Sequence, residues 1–314
     1  MPDSAGDPVT EPLVDLSTSG DVVVQGDNAA VLPRLPSASF QVVYIDPPFN
    51  TGARRDRRTL RTSRAGDADR GDRTGFGGRR YSTVETTRMS YPDSFEDYAG
   101  FLAARLEEAR RLLTESGTLF VHLDWREAHY CKVLLDDVFG RGNFLNEVIW
   151  AYDYGGRAKD RWPAKHDTIL VYVKQVGAHL FDQGQIDRVP YLAPGLVGPA
   201  KAARGKLPTD VWWHTIVSPT GREKTGYPTQ KPEGVLRRVL APSSRPGDWV
   251  LDFFAGSGTT GAAATALGRR FVLVDANPEA VAVMRGRLPG ATYLDQDGRP
   301  LPTPDLQTPT PPPR

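Results

Sequence analysis

Val250-Leu251-Asp252-Phe253-Phe254-Ala255-Gly256-Ser257-Gly258-Thr259-Thr260-Gly261 is the stretch on which the fold turns. An apolar run ends in an aspartate, glycines follow at 256 and 258, and small, helix-compatible residues continue from Thr260. That is the pattern of a strand, a tight turn and a helix start. Glycine lets the backbone take left-handed angles and approach a ligand closely, and the helix N-terminus offers it unpaired N–H groups. The spacing also matches G-x-G-x-x-G, with Asp275 about where a ribose-binding acid is expected. Taken by itself, the loop suits NAD, S-adenosylmethionine or a plain structural turn.

Working outward, the same rhythm recurs. Apolar runs at 22–24, 40–45, 118–123, 147–152, 168–173, 249–253 and 271–274 read as strands. Amphipathic or small-residue stretches at 94–113, 126–139, 233–240 and 260–267, with starts near Ala29 and Pro278, read as helices. In the helix 94–113, Ser94 is the expected cap and Phe101, Leu102, Leu106, Ala109, Leu112 and Leu113 the expected buried face. For 126–139 the expected face is Val133, Leu134 and Val138, with the stop at Gly140. Alternating strands and helices predict an α/β fold: a mainly parallel sheet with helices on both faces. Residues 1–19 and the proline-rich 289–314 read as unstructured.

Composition narrows the chemistry. The 314 residues carry 39 Lys and Arg against 38 Asp and Glu, without the strong basic excess of many nucleic-acid-binding domains. The charge is uneven, however: between Ala53 and Arg88 stand eleven arginines and five acids, predicting a solvated basic loop that orders on a phosphate backbone. No long apolar run suggests a membrane span. Cys131 is the sole cysteine, which excludes an internal disulfide, and the acidic start is unlike a signal peptide. The expectation is a cytoplasmic protein. Cys131 reads as core, and Asp124 as a helix cap or as lining a ligand pocket; the five histidines lack ligand spacing, so no metal is expected.

The second signal is Val42-Val43-Tyr44-Ile45-Asp46-Pro47-Pro48-Phe49-Asn50-Thr51-Gly52. A residue before proline is pushed to extended angles, so Asp46 continues the strand to its carboxyl end, where open α/β sheets bind ligands. Prolines donate nothing, leaving the Asp46 carboxylate and the Asp46 and Pro47 carbonyls as acceptors, with the Phe49 ring beside them. Acceptors next to an aromatic platform suit a flat ring bearing an amino group. Gripping both N–H bonds frees the nitrogen lone pair to attack a methyl group; such catalysis is positioning and electrostatics.

Together the two motifs resemble the amino-DNA methyltransferases, and their order resembles the permuted β class. In that class the catalytic segment precedes target recognition and the cofactor loop comes last. Gln25-Gly26-Asp27-Asn28, the stretches Asn143–Trp150 and Lys165–Tyr172, and Gly226-Tyr227-Pro228-Thr229-Gln230-Lys231-Pro232 look like further motifs of it, over Val22 to Leu288. The resemblance implies a Rossmann-like methyltransferase fold with circularly permuted motifs. Its parts would be 20–174, carrying the basic loop 53–90, and 226–288 as the methyltransferase domain, and 175–225 as inserted target-recognition region. It implies transfer of a methyl group from S-adenosylmethionine to a flipped base of double-stranded DNA, adenine N6 above cytosine N4. Asp46 and Pro47 would hold the amino group and Phe49 would stack on the base. Asp27, Asp252, Phe254, Gly256, Gly258, Thr259 and Asp275 would hold the cofactor, with Thr229 and Lys231 near its carboxylate. Arg54, Arg55, Arg57 and Arg58 would meet phosphates. The resemblance leaves room for a homodimer and a restriction partner.

Three rivals stand beside this reading. An NAD oxidoreductase leaves Asp46–Phe49 and Thr229–Pro232 without a role. An RNA or protein amide methyltransferase shares the acidic-Pro-Pro-aromatic logic, but the permuted order and the stretch Gln175–Thr225 favour DNA. A catalytically dead DNA-binding protein would not need Asp46 or Gly256. Trp212-Trp213 fits either base contacts or a small core of the inserted region.

Overall fold

Strand and helix alternate along the chain as expected. The structure, a computed structural model, describes residues 12–49, 97–155, 158–218 and 220–302, and the backbone of 55–64, 73–74 and 80–91. It forms two compact units, residues 48–98 and the remainder of the chain.

The elements are β1 (Val22–Gln25), α1 (Asn28–Val31), β2 (Phe40–Ile45), β3 (Arg55–Arg64), β4 (Arg73–Thr74), β5 (Arg80–Tyr91), α2 (Tyr98–Leu112), β6 (Leu113–Leu123), α3 (Ala128–Phe139), β7 (Phe144–Ala151), β8 (His166–Val173), α4 (Pro199–Arg204), β9 (Val211–Trp213), α5 (Glu233–Ser243), β10 (Trp249–Asp252), α6 (Thr259–Ala266), β11 (Arg270–Asp275), α7 (Pro278–Arg287) and β12 (Thr292–Asp295).

Nine strands make one sheet in the order β12-β1-β11-β10-β2-β6-β8-β7-β9. All pairs are parallel except those of β8, which runs against both β6 and β7. The mainly parallel sheet is therefore borne out. Side chains alternate between the two faces of the pleat, and both faces of the central strands are buried. Val42, Tyr44, Phe120, Val250, Phe271 and Leu273 share a core with Val235, Leu236, Val239 and Leu240 of α5, Ala263 and Ala264 of α6 and Met284 of α7. Val43, Ile45, Leu119, Val121, Leu251 and Val272 are equally buried on the opposite face. Of the face expected for α2, Leu102, Leu106, Ala109 and Leu112 are buried and Phe101 only partly.

Several expectations are corrected. In α3 the buried face is Ala128, Cys131, Leu135 and Phe139, while Val133 is 63% exposed. The apolar residues 133, 134 and 138 lie on neighbouring faces, and helical spacing of the whole set selects 128, 131, 135 and 139. β6 starts at Leu113 and runs through Gly117, with a register shift against β2 between Phe40 and Val42. The proline-rich tail begins later than 289, since β12 pairs with β1 at the sheet edge and buries Tyr293. The lead-in ends earlier than 19, because Leu13 and Val14 are buried and Leu13 N–H donates to the Arg34 carbonyl. Within 175–225, β9 adds to the sheet beside β7.

The second unit contains antiparallel backbone where a solvated loop was expected. β3 pairs with β5 from Arg55↔Tyr91 to Arg64↔Tyr81, and β4 adds to β5. Thr is frequent in these segments and favours extended backbone.

Candidate active site

Parallel pairing places the carboxyl ends of β1, β11, β10, β2 and β6 along one edge of the sheet. Each delivers an aspartate there or just beyond: Asp27, Asp275, Asp252, Asp46 and Asp124. Because β8 runs the other way, its first residues, His166 and Asp167, reach the same edge. This is the edge at which open α/β sheets take ligands.

Asp46 is part-buried. Its Oδ2 accepts a hydrogen bond from Lys231 Nζ at 2.5 Å, and both side chains are mostly shielded from solvent. Its other oxygen, Oδ1, is buried and has no hydrogen-bond partner among the described residues. A buried acceptor left unsatisfied costs about 1–3 kcal/mol, so this atom is kept for something that arrives. Pro47 is buried and brings no competing N–H. The Lys231 amino group lies on Asp46, and its carbonyl accepts from Thr259 Oγ1 at 3.1 Å. One residue thus ties the Asp46 carboxylate to the start of α6.

The glycine loop is held by acids. Gly256 N–H donates to Asp275 Oδ2 at 2.7 Å and Asn277 N–H to Asp275 Oδ1 at 2.8 Å. Asp275 thereby sets the loop's shape, a task not foreseen for it. Asp252 accepts from Phe254 N–H at 3.0 Å and from Thr260 Oγ1 at 2.5 Å. Burial pushes the Asp252 carboxyl up to about 7, against the pull of those hydrogen bonds and with help from Asp46 and Asp275. Burial raises Asp275 as well. The two glycines have different reasons to be glycine. Gly256, at φ +50°, has the Tyr227 ring edge at 3.4 Å and the Phe254 carbonyl at 4.0 Å where a Cβ would point, both ordinary contacts. At Gly258, φ +72°, a Cβ would come within 2.7 Å of Met284 Cγ, inside the protein. Its missing side chain serves packing.

Asp27 lies at the end of β1 with its side chain 63% exposed. It caps α1 through Ala29 N–H and meets Arg105 Nη2 at 3.3 Å. Arg105 also bonds Asn28 Oδ1 and lies over the Phe101 ring, which is 6.1 Å from that of Phe254. Asp27 and Phe254 therefore border one region, and Gly256 is tied to Asp275, which pairs with Gln25 two residues before Asp27. They form an acceptor, an apolar wall and a bare backbone, which fits a ligand with hydroxyl donors and an apolar body. Thr259 is buried, and its hydroxyl also accepts from Arg287 Nη1 at 3.0 Å. Thr229 is exposed. Phe49 belongs to the second unit; Arg54 and the side chains of Arg55, Arg57 and Arg58 lie outside the described residues.

Sequence reading missed a buried chain beneath Asp46. Tyr44 Oη bonds His122 Nδ1 at 2.7 Å, His122 Nε2 meets Asp167 Oδ2 at 3.1 Å, and Tyr152 Oη donates to Asp167 Oδ1 at 3.0 Å. Burial pushes the Asp167 carboxyl up, but the hydrogen bond and charge of His122, with the charge of Lys231, outweigh it and hold it below the usual range. Burial, then the neighbouring carboxylates, push the Tyr44 phenol well up. Spacing alone gives His122 no role beyond packing. The available signal is a histidine inside the otherwise apolar run 119–123, since a polar side chain in a buried strand must find partners. Asp124 accepts from Arg126 N–H and side chain but caps no helix; Glu127 precedes α3. Cys131 is buried and its thiol is pushed up to about 12 by burial, as a core cysteine should be.

Similarity to known proteins agrees with this arrangement. Residues 40–285 match the N6/N4 methyltransferase family model, described as DNA methylase. The DNA adenine methyltransferase YhdJ of Escherichia coli (strain K12) is 27% identical over 288 residues, covering 88% of this chain and 85% of its own length. Among solved structures, the PvuII DNA methyltransferase, cytosine-N4-specific, aligns with a TM-score of 0.58 at 14% identity, covering 86% of this chain and 89% of its own. M1.HpyAVI, solved as its complex with SAM, aligns with a TM-score of 0.54 at 18% identity over 85% of this chain and 98% of its own. At such identities these two likenesses establish the fold.

Proposed function

The chain belongs to the N6/N4 DNA methylase family, and from that premise we propose that it transfers a methyl group from S-adenosylmethionine to N6 of an adenine flipped out of double-stranded DNA. The observation that carries the reading is the orphaned Asp46 Oδ1, a buried acceptor at the carboxyl edge of the sheet. An exocyclic amino group brings the N–H that atom lacks. The Pro47 carbonyl is the second acceptor and Phe49 the stacking ring, so both N–H bonds are held while the nitrogen lone pair turns toward the methyl carbon. S-adenosylmethionine supplies that electrophilic carbon. Asp27 takes hydroxyl donors, Phe254 covers the apolar body, and Gly256 lets the backbone close on the methionine part. Lys231 holds Oδ2 and leaves Oδ1 to the base. No metal and no covalent enzyme intermediate are needed.

Adenine is favoured over cytosine by the run Asp46-Pro47-Pro48-Phe49-Asn50-Thr51-Gly52 and by similarity to an adenine enzyme. In this reading 20–174 with 226–288 form the methyltransferase domain, 175–225 read the target sequence, and Arg54, Arg55, Arg57 and Arg58 meet phosphates.

Long-read sequencing of DNA from a host expressing the chain reports base and motif together. Modified adenines in a fixed motif support the proposal, and their absence refutes it. Asp46→Ala should keep S-adenosylmethionine binding by calorimetry while methylation falls at least about a hundredfold, the scale set by removing one charge-stabilising group.

A further inference from the structure

Between β7 and β8 the chain leaves the sheet at the edge that carries Asp46, because β7 runs parallel to β2 and β8 starts there. The base of this excursion is locked. Tyr152 N–H donates to the Lys165 carbonyl at 2.9 Å, and Lys165 Nζ donates to the Gly155 carbonyl at 2.9 Å. The Tyr152 hydroxyl bonds Asp167, which joins through His122 to Tyr44, two residues before Asp46. The loop is thus registered against the catalytic strand by a buried chain of hydrogen bonds that the methyl transfer itself does not use.

Its crown is the reverse of buried. Trp162 is 96% exposed and Tyr154 65% exposed, and Lys159 and Arg161 between them are exposed too. An indole left wholly in water forgoes the burial that ordinarily makes tryptophan worth keeping in a fold. Aromatic rings interleaved with cations are the side chains that stack on bases and meet phosphates. β8 and β7 stand two and three strand spacings from β2, so the loop's base is ~10–14 Å from the strand of Asp46. That is the scale of a B-form groove, about 12 Å.

We propose that Trp162 is the wedge that enters the duplex stack where the target base leaves it, with Lys159 and Arg161 on the flanking phosphates. The proposal rests on the base-amino methyltransferase reading above. Extruding a base forfeits its pairing and stacking, and an apolar side chain inserted in the gap restores part of the stacking. The locked stem lets the wedge be held at a set offset from Asp46.

The test uses the full chain and two duplexes carrying the mapped motif, one with the target adenine normally paired and one with an abasic site opposite it. On the second duplex the target is already unpaired, so a wedge has little left to do. Trp162→Ala should lower kcat/KM on the paired duplex by about tenfold or more, the scale of one base–aromatic stack. On the abasic duplex it should stay within about twofold of wild type, and Trp162→Phe should recover most of the paired-duplex rate. S-adenosylmethionine affinity should not change. Equal losses on both duplexes, or no loss on either, overturn the wedge while leaving the methyltransferase reading intact. Failure of the wild-type chain on both duplexes overturns that reading, and the wedge with it.

Discussion

Replacing Gly258 by alanine asks whether the second glycine of the loop serves the ligand or the fold. Two costs add. Gly258 holds φ +72°, where an L residue loses about 1–2 kcal/mol. The new Cβ would lie 2.7 Å from Met284 Cγ and 3.3 Å from Leu288 Cδ1. Met284 is fully buried and Leu288 nearly so, and neither can swing into solvent. Overpacking of that kind costs about 1–3 kcal/mol. The expected loss is therefore ~2–5 kcal/mol by urea unfolding, with S-adenosylmethionine affinity of the folded protein little changed. Gly256→Ala is the control. At φ +50° it carries the conformational cost, but its nearest atom is Tyr227 Cε1 at 3.4 Å, an ordinary separation. It should lose only about 1–2 kcal/mol of stability and most of its cofactor affinity. Shortening the obstacle, in Gly258→Ala with Met284→Ala, should give a combined loss smaller than the sum of the single ones. A Gly258→Ala protein as stable as wild type but unable to bind cofactor would refute the inward assignment.

Asp252 offers a pH test. Its carboxyl is raised to about 7 by burial, above the ordinary 3.8, so the folded state holds a proton that the unfolded state releases. The contribution is fully present below pH 3.8 and is lost as pH rises toward 7, at up to ~1.4 kcal/mol per pH unit. Asp252→Asn, which never ionises, should gain stability relative to wild type as pH rises from about 5 to about 8; a constant difference across that range would remove the argument. For the arginine-rich segment, neutralising Arg54, Arg55, Arg57 and Arg58 should weaken every DNA sequence about equally. The slope of log affinity against log salt should fall by roughly 0.9 for each phosphate that is no longer neutralised, and an unchanged slope would mean these side chains touch no phosphate.

Much of the frame is legible because its signals are local. A strand such as Phe40–Ile45, apolar but for Gln41, needs only its own composition to declare itself, and its bounds agree with the structure at both ends. Gly256 and Gly258 mark a turn because glycine takes left-handed angles at the least cost. The misread features depend on what lies across space. Choosing between Val133 and Leu135 in α3 requires knowing which side the sheet is on. β12 is four residues long, and its pairing with β1 joins residues about 270 positions apart. The arginine-rich stretch carries polar composition and extended backbone together, and composition alone favours a loop.

From sequence alone came the alternating α/β order, the two ligand-facing motifs and their permuted sequence, because each is written in contiguous residues with their own backbone demands. Tertiary structure alone decided which side chains meet. Lys231 reaches Asp46 across 185 positions, Asp275 pins Gly256, and His122 joins Tyr44 to Asp167. Those pairings follow from strand order and from the reversed run of β8. The register that brings strand ends to one edge is set by packing of the whole sheet, and no short stretch of the chain encodes it.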